Sequence, residues 1–355
     1  MIVVGVDAHS QTHTAAALDA LTARFLAEQT VPAREPGFGQ LLAWARGLDA
    51  ERVWAIEDCR NLSAGLERFL LGRGERVLRV PPKTMAGQRK SAREFGKSDR
   101  IDAIAVARVA LREERLQPAR LPGPEQKIKL LAEHREHLVC EATRHQRRLR
   151  WLLHEIDPDL QPNGRGLKVA SVLDRLARQL ARREQTLEIR ICRELVRDIR
   201  ALMRRSEALE AELAPMVKAH AAPLLAIPGV AVLTAAKLIA EIGPVDRFQN
   251  DAQLASYGGV APLDASSPRQ RRHRLNRTGN RQLNCALHRI AVTQARIYAP
   301  AREYLARRSS EGKTTKEAMR ALKRFIARRI FRILMARQRP TLRPLAGQAP
   351  LHCLT

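Results

Sequence analysis

Four carboxylates in this 355-residue chain stand where they could hold divalent cations. Asp7 ends an apolar run with strand character, Ile2–Val6, and Glu57 ends another, Val53–Ile56. Asp99 and Asp102 open a segment with helical character that runs to Arg112. An acid at the end of a buried strand is awkward for packing. Hard cations such as Mg²⁺ or Mn²⁺, however, take oxygen ligands from a few carboxylates, water and substrate phosphate. Spacing of i, i+3 places Asp99 and Asp102 on one helix face. The pair has a plainer reading as an N-terminal cap, because Ser98 followed by acids in the first turn complements the helix dipole. Strand alternation turns only one of Glu57 and Asp58 toward Asp7, and Glu57 is the one expected there. Two metal ions about 4 Å apart in such a cluster would activate an attacking oxygen and stabilise a leaving one in phosphodiester chemistry.

The elements that must position these acids are legible as alternation. Strands are expected over Ile2–Val6, Thr12–Leu18 and Ala23–Val31, forming a three-stranded meander. A helix over Gly37–Arg46, the strand Val53–Ile56, a helix over Leu62–Leu71 and a strand over Arg76–Val80 follow, and Pro81-Pro82 ends the series. A meander followed by βα alternation reads as a mixed α/β sheet. Residues 121–218 change character. Leu131, Leu138, His145 and Leu152 recur every seven positions, and Cys192, Leu195, Ile199, Leu202, Ser206, Leu209 and Leu213 are spaced alternately by three and four. That is a heptad seam, fitting either a coiled coil or an antiparallel hairpin, and it suggests dimerisation. Residues 219–340 read as an all-α domain, and 341–355 as a frayed tail. The expected division is therefore 1–120, 121–218, 219–340 and 341–355.

Charge separates the two ends. The chain carries 63 Lys+Arg against 37 Asp+Glu, a formal net charge of +26. Residues 1–120 hold 19 basic and 15 acidic side chains, whereas 269–343 hold 22 basic and three acidic ones. A uniform arginine bias would spread the excess evenly, so the distribution points to a polyanion grip in the last third. Aromatic residues make up only 4%, which argues against base stacking as the dominant mode. Five cysteines without paired spacing argue against a disulfide framework or a cysteine zinc site and fit a reducing cytoplasm. No apolar run approaches the ~20 residues of a membrane span, and the start lacks a signal-peptide pattern.

An α/β sheet with Asp on its first strand, Glu on a later strand and acids on a late helix has the layout of a ribonuclease-H-like nuclease. Three segments carry a narrower resemblance: Gly5-Val6-Asp7-Ala8-His9, Ala55-Ile56-Glu57-Asp58 and Lys97-Ser98-Asp99-Arg100-Ile101-Asp102-Ala103. They resemble the N-terminal domain of DEDD-type insertion-sequence transposases, the serine-dependent recombinases guided by a bridge RNA. Ile227-Pro228-Gly229-Val230, Glu241-Ile242-Gly243-Pro244, Gly258-Gly259-Val260-Ala261-Pro262 and Arg277-Thr278-Gly279-Asn280-Arg281 resemble that family's C-terminal domain. The resemblance implies a RuvC-like catalytic domain, a helical stalk and a helical domain carrying a nucleophilic serine. It places that serine five residues after Pro262, at Ser267, with Ser266 beside it as the alternative. Pro268 stands where the family has Gly, and Ala231 where a helix–hairpin–helix loop would favour a second Gly.

The resemblance further implies Asp7, Glu57, Asp99, Asp102 and Ser267 as the catalytic set, with the four acids binding two Mg²⁺ (or Mn²⁺) ions. The expected partners are donor and target double-stranded DNA, a noncoding bridge RNA, and further copies of the chain in a dimer or tetramer. Lys97 and Arg100 near the acids, and Arg269, Arg271, Arg272, Arg274, Arg277 and Arg281 after the serine, are expected to grip phosphates. His273 is a possible activating base. The function implied is transposition through a covalent 5′-phosphoserine DNA intermediate. The alternatives are a structure-selective junction nuclease using the acids with water, and a non-catalytic nucleic-acid-binding remnant. The helix Lys316–Arg337 is expected to pack an apolar stripe containing Phe325, Ile326, Ile330 and Phe331 while offering Lys323, Arg324, Arg328, Arg329 and Arg332 outward. His134 and His137 lack a third ligand, and Gly72-Arg73-Gly74 lacks the Lys-Ser/Thr ending of a phosphate loop.

Overall fold

A computed structural model describes residues 1–338 apart from 59, 83, 85–97, 114–115, 265–272, 275 and 277. The chain forms two compact units, residues 1–122 and 123–355. The first is built on a six-stranded sheet in the order β3-β2-β1-β4-β5-β6. Its strands are β1 (Ile2–Ala8), β2 (Thr12–Asp19), β3 (Phe25–Pro32), β4 (Arg52–Glu57), β5 (Val77–Val80) and β6 (Gln117–Pro118). β1 pairs with β2, β2 with β3 and β5 with β6 antiparallel, whereas β4 joins β1, and β5 joins β4, in parallel. The sheet is thus mixed, as the alternation of the sequence requires.

Helices cover both faces. α1 (Glu35–Leu48) and α2 (Arg60–Leu71) pack on one side, where Ile2, Val4, Val6, Trp54 and Ile56 meet Leu41, Ala45, Leu66 and Leu70. α3 (Asp99–Arg112) covers the other, where Val3, Ala16, Ala55 and Val80 meet Ala103, Val106 and Ala107. Every residue of β1 is buried, which suits a central strand covered on both sides. A buried carboxylate, Glu75, pins the far end of the sheet. It accepts hydrogen bonds from Arg52 Nε at 2.8 Å, Arg52 Nη2 at 2.6 Å and Trp54 Nε1 at 3.0 Å. Burial alone would raise its pKa, but the bonds from Arg52 and Trp54 hold it below the usual glutamate value. Its contribution is present above the unfolded-state pKa and fades as pH falls through the depressed one. Glu75→Gln is expected to destabilise the protein by about 2 kcal/mol at pH 7, the scale of charge-assisted hydrogen bonds. Urea melts at pH 7 and pH 4 check this, and the cost must shrink at the lower pH.

The second unit is helical: α4 (Pro124–Ile156), α5 (Ala170–Ala181), α6 (Leu187–Leu225), α7 (Val232–Ile242), α8 (Asp251–Tyr257), α9 (Arg281–Ile297), α10 (Ala299–Ser310) and α11 (Thr315–Gln338). α6 spans the boundary expected at 218/219 and is kinked at Ala221, whose backbone (φ −156°, ψ 52°) is not helical. α4 and α6 lie antiparallel, with Arg135 bridging Glu210 at 3.0 Å and His145 lying 4.0 Å from Asp198. The heptad seam is closed within the chain. Leu138 and Ala142 pack with Leu202, while Leu149 and Leu153 pack with Leu195 and Ile199. With α4 as its partner, the α6 seam supplies no argument for a dimer.

α11 orients differently from expectation. Leu322, Ile326, Ile330 and Leu334 face the core as its stripe. Lys323 is turned inward, only 6% exposed, and donates to Asn284 Oδ1 at 2.9 Å, whereas Phe325 is half exposed. Ala231 caps α7 with an ordinary extended backbone, φ −99°, and the positive φ of the turn falls on Gly229 instead.

Candidate active site

Asp7 lies at the C-terminal end of β1 on the face covered by α3. Alternation along β1 puts Val3, Gly5 and Asp7 on that face, and Val3 belongs to its core. β1 and β4 are in register up to Val6 opposite Ile56, so Asp7 and Glu57 follow one residue later on adjacent parallel strands. Ala55 is part of the α3-side core and Ile56 of the opposite one, which places Glu57 on the same face as Asp7. The backbone N–H of Asp58 is taken by Val80 O at 2.9 Å.

α3 brings in the remaining acids. Its N-cap is Ser98, whose Oγ accepts from Ile101 N at 3.3 Å. Capping is thus done by the serine hydroxyl. Asp102 is buried and Asp99 is exposed. Asp7, Glu57 and Asp102 are all less than one-tenth exposed.

His9, which is not among the four acids expected as ligands, completes the cluster. Its Nε2 hydrogen-bonds Asp7 Oδ2 at 3.0 Å and lies 3.5 Å from Asp99 Oδ1. The signal was available: residues i and i+2 of an extended chain share a face. Asp7, His9 and Asp99 offer one ligand atom each within 4.8 Å of one another, a spacing that a metal ion can bridge. The Asp7 pKa is raised, first by burial, with the nearby charges of Asp102 and Asp99 adding to it and His9 opposing it. Crowded, desolvated carboxylates are what a bound cation relieves, so the donor set fits a divalent metal.

The other expected residues are distributed differently. Arg100 is committed to β3: it pairs with Glu28 Oε2 at 3.0 Å, and its guanidinium lies 4.6 Å from the Phe25 ring centre. Lys97, Ser266, Ser267, Arg269, Arg271, Arg272 and Arg277 lie outside the described residues, as does the side chain of Arg274. Arg281 is exposed on the first turn of α9.

What is described is the base of the serine segment. β7 (Leu263–Asp264) pairs antiparallel with β8 (His273–Arg274), so the described chain on either side of the serine segment is held together as a hairpin base. Its two roots interlock. A Cβ on Gly279 would sit 2.3 Å from Gly259 N, and Gly259 has φ +66°. Asn276 donates to Ser256 O, Asn284 to Gly258 O at 2.8 Å, and Asn280 to Glu241 Oε2 at 2.8 Å. Side-chain amides thus satisfy backbone and carboxylate groups that the turn would otherwise leave unpaired.

Two family models match the chain in order. Residues 4–158 match a transposase model of the DEDD, IS110 type, and residues 221–306 match the transposase IS116/IS110/IS902 family. The chain belongs to the IS110/IS116 transposase family. This transposase is 26% identical to the insertion element IS116 uncharacterized 44.8 kDa protein of Streptomyces clavuligerus, over 90% of this chain and 91% of that one. It is 26% identical to the insertion element IS900 uncharacterized 42 kDa protein of Mycobacterium paratuberculosis, over 94% of each chain. It is 29% identical to the transposase for insertion sequence element IS1111A of Coxiella burnetii, over 56% and 54%. Among solved structures, Thermus thermophilus RuvC in complex with a Holliday junction substrate aligns with 34% of this chain and 99% of its own, at 17% identity and a TM-score of 0.26. None of the described helices is long and apolar enough to cross a membrane.

Proposed function

We propose that this transposase moves its insertion sequence by cutting and rejoining DNA strands, with Ser267 as nucleophile and Asp7, Glu57, Asp99 and Asp102 holding two Mg²⁺ or Mn²⁺ ions. The observation that carries this reading is the cluster of Asp7, His9 and Asp99, whose ligand atoms lie within 4.8 Å of one another, with Glu57 at the end of the neighbouring strand and Asp102 one turn along α3. Burial and the charges of Asp102 and Asp99 raise the Asp7 pKa against His9, a crowding that a bound cation relieves. When bound, the cations neutralise charge on the reacting phosphate. Ser267 Oγ forms a bond to phosphorus as the phosphorus–O3′ bond breaks. The serine proton ends on the departing 3′-hydroxyl and the DNA 5′ end on the serine. Attack by the 3′-hydroxyl of a second strand reverses the step, exchanging partners without hydrolysis. Net charge supports donor and target DNA as partners, and the absence of a base-reading module among the described elements fits sequence choice by a bridge RNA.

The test is a covalent adduct. Wild-type protein with labelled element-end DNA should give a protein–DNA species that survives denaturing electrophoresis, and Ser267→Ala should abolish it. Loss in Ser266→Ala instead would move the nucleophile by one residue. Cleavage of branched DNA by both variants, with no adduct, would favour the junction nuclease. Co-expression with flanking DNA should also recover one abundant noncoding RNA on the protein.

A further inference from the structure

Two cavities in the second unit share a wall that the proposed chemistry leaves unused. The larger, about 620 Å³, lies between α10, α11 and the turn Gly259–Pro262; the smaller, about 420 Å³, lies beside it. Tyr304, Phe325 and Arg328 line both. Their volumes fall in the range of roughly 300–1,000 Å³ typical of small-ligand pockets. Phe325 stands edge-on to Tyr304, with ring centres 5.1 Å apart, and is 50% exposed on a helix whose other large apolar side chains turn inward. Burial does not explain that ring.

The surroundings fit one kind of occupant. Arg308, Lys313, Arg320, Arg324 and Arg328 line the larger cavity with Glu317 as its only described carboxylate. Glu317 is occupied by the backbone N–H and hydroxyl of Thr314. Two of the guanidiniums are held in place, Arg308 by Tyr304 Oη at 3.1 Å and Glu311 at 2.6 Å, and Arg328 by Asp251 at 2.6 Å. Arg324 is half-buried and has no carboxylate partner among the described residues. Val260, Pro262, Ala318 and Ala321 supply an apolar lining. Fixed cations around an apolar, aromatic-walled concavity match a nucleotide whose base is out of its stack, with phosphate on the arginines and the base on Phe325. A duplex keeps the faces of its bases stacked on one another and offers none to Phe325.

We propose that this double cavity holds unstacked nucleotides of a single DNA strand on either side of Phe325. The choice of DNA rests on the reading of Ser267 as nucleophile, since Pro262 and Asn276 line the cavity and are also the roots of the serine hairpin. A strand entering there would leave its next phosphate near that hairpin.

Binding of the full-length protein in EDTA tests this without any cleavage, so failure of the phosphoserine reading would leave the readout intact. The probes are a single-stranded DNA of about twenty nucleotides, its duplex and the RNA of the same sequence, followed by anisotropy. Phe325→Ala should weaken single-stranded DNA binding about tenfold, the scale of one lost base–aromatic stack, and duplex binding by less than about twofold. Arg324→Gln should reduce the salt slope on the single strand by about one ion. Equal weakening on duplex, no weakening, or dependence on Phe325 with RNA alone would overturn the proposal. If Phe325→Ala melts early, Phe325→Leu keeps apolar volume without a ring and must show the same loss; wild-type binding by Phe325→Leu would also overturn it.

Discussion

Asp7→Asn is expected to lower DNA strand cleavage by at least about 10²-fold, the scale for removing one group that organises transition-state charge, without unfolding the protein. In EDTA at pH 7 the variant should melt at a higher temperature than the wild type. Asp7 is 5% exposed, and its pKa is raised, first by burial and then by Asp102 and Asp99 against the opposing His9. The sign follows from linkage. In the unfolded chain this carboxyl ionises near 3.8, and in the folded chain only at higher pH. Stability is therefore lost as pH rises from the lower value through the raised one, and at pH 7 the folded state bears the whole penalty. Asparagine keeps the shape of the neutral acid and carries no charge to desolvate. Adding Mn²⁺ should raise the wild-type melting temperature, because a ligand that binds only the folded state stabilises it, and should raise that of Asp7→Asn much less. Cleavage at the wild-type rate by Asp7→Asn would remove Asp7 from the active site. A variant that melts lower in EDTA would show that Asp7 is held by partners and carries no strain.

The mixed sheet was legible because its strands are short apolar runs separated by polar turns, and α3 because Ser98 and the acids after it mark a helix start. The site was legible as far as the strand ends were. Stopping the first strand at Val6 hid His9, since β1 continues to Ala8, with Asp7 and Ala8 paired to Thr14 and His13. Two positions beyond Asp7 on an extended chain, His9 falls on the same side as the acid. A heptad seam reveals that a helix has a partner but not whose helix it is, and here α4 of the same chain fills the place. Arg100 shows a related limit. A basic residue between two acids invites a phosphate-binding reading, and the sequence does not show that Glu28, four residues past the Asp19–Arg24 turn that brings β3 alongside, lies 3.0 Å from its guanidinium. Composition alone also misjudged α11. Lysine is placed inside and phenylalanine outside because Asn284 offers Lys323 an acceptor in the core, while Phe325 lies just off the stripe through Leu322, Ile326 and Ile330.

Gly5→Ala is expected to damage the same site from a distance, through packing alone. A Cβ at residue 5 would lie 2.2 Å from Ala103 O, 2.5 Å from Ala107 N and 2.8 Å from Ala107 Cβ. None of these atoms belongs to a side chain that can rotate away, and carbon contacts settle at about 3.5–4.0 Å. α3 must therefore lift from β1 by about 1 Å. Overpacking of this kind costs about 1–3 kcal/mol, occasionally more. The larger effect falls on function, because Asp102 immediately precedes Ala103 and moves with it while Asp7 stays on β1. A displacement of about 1 Å in catalytic groups can cost ~10²-fold in rate. Gly5→Ala should thus lose far more cleavage, and more Mn²⁺-induced stabilisation, than its melting temperature suggests. Ala107→Gly added to Gly5→Ala should restore little, because the two closest contacts are with α3 backbone that the second change leaves in place. Gly47→Ala is the control: no atom lies within 4 Å of its added Cβ, and as a helical glycine it should gain about 0.5–1 kcal/mol. Wild-type cleavage and metal response in Gly5→Ala would mean that α3 does not set the position of Asp102 against β1, and the close packing of this helix on the first strand would then have no part in building the site.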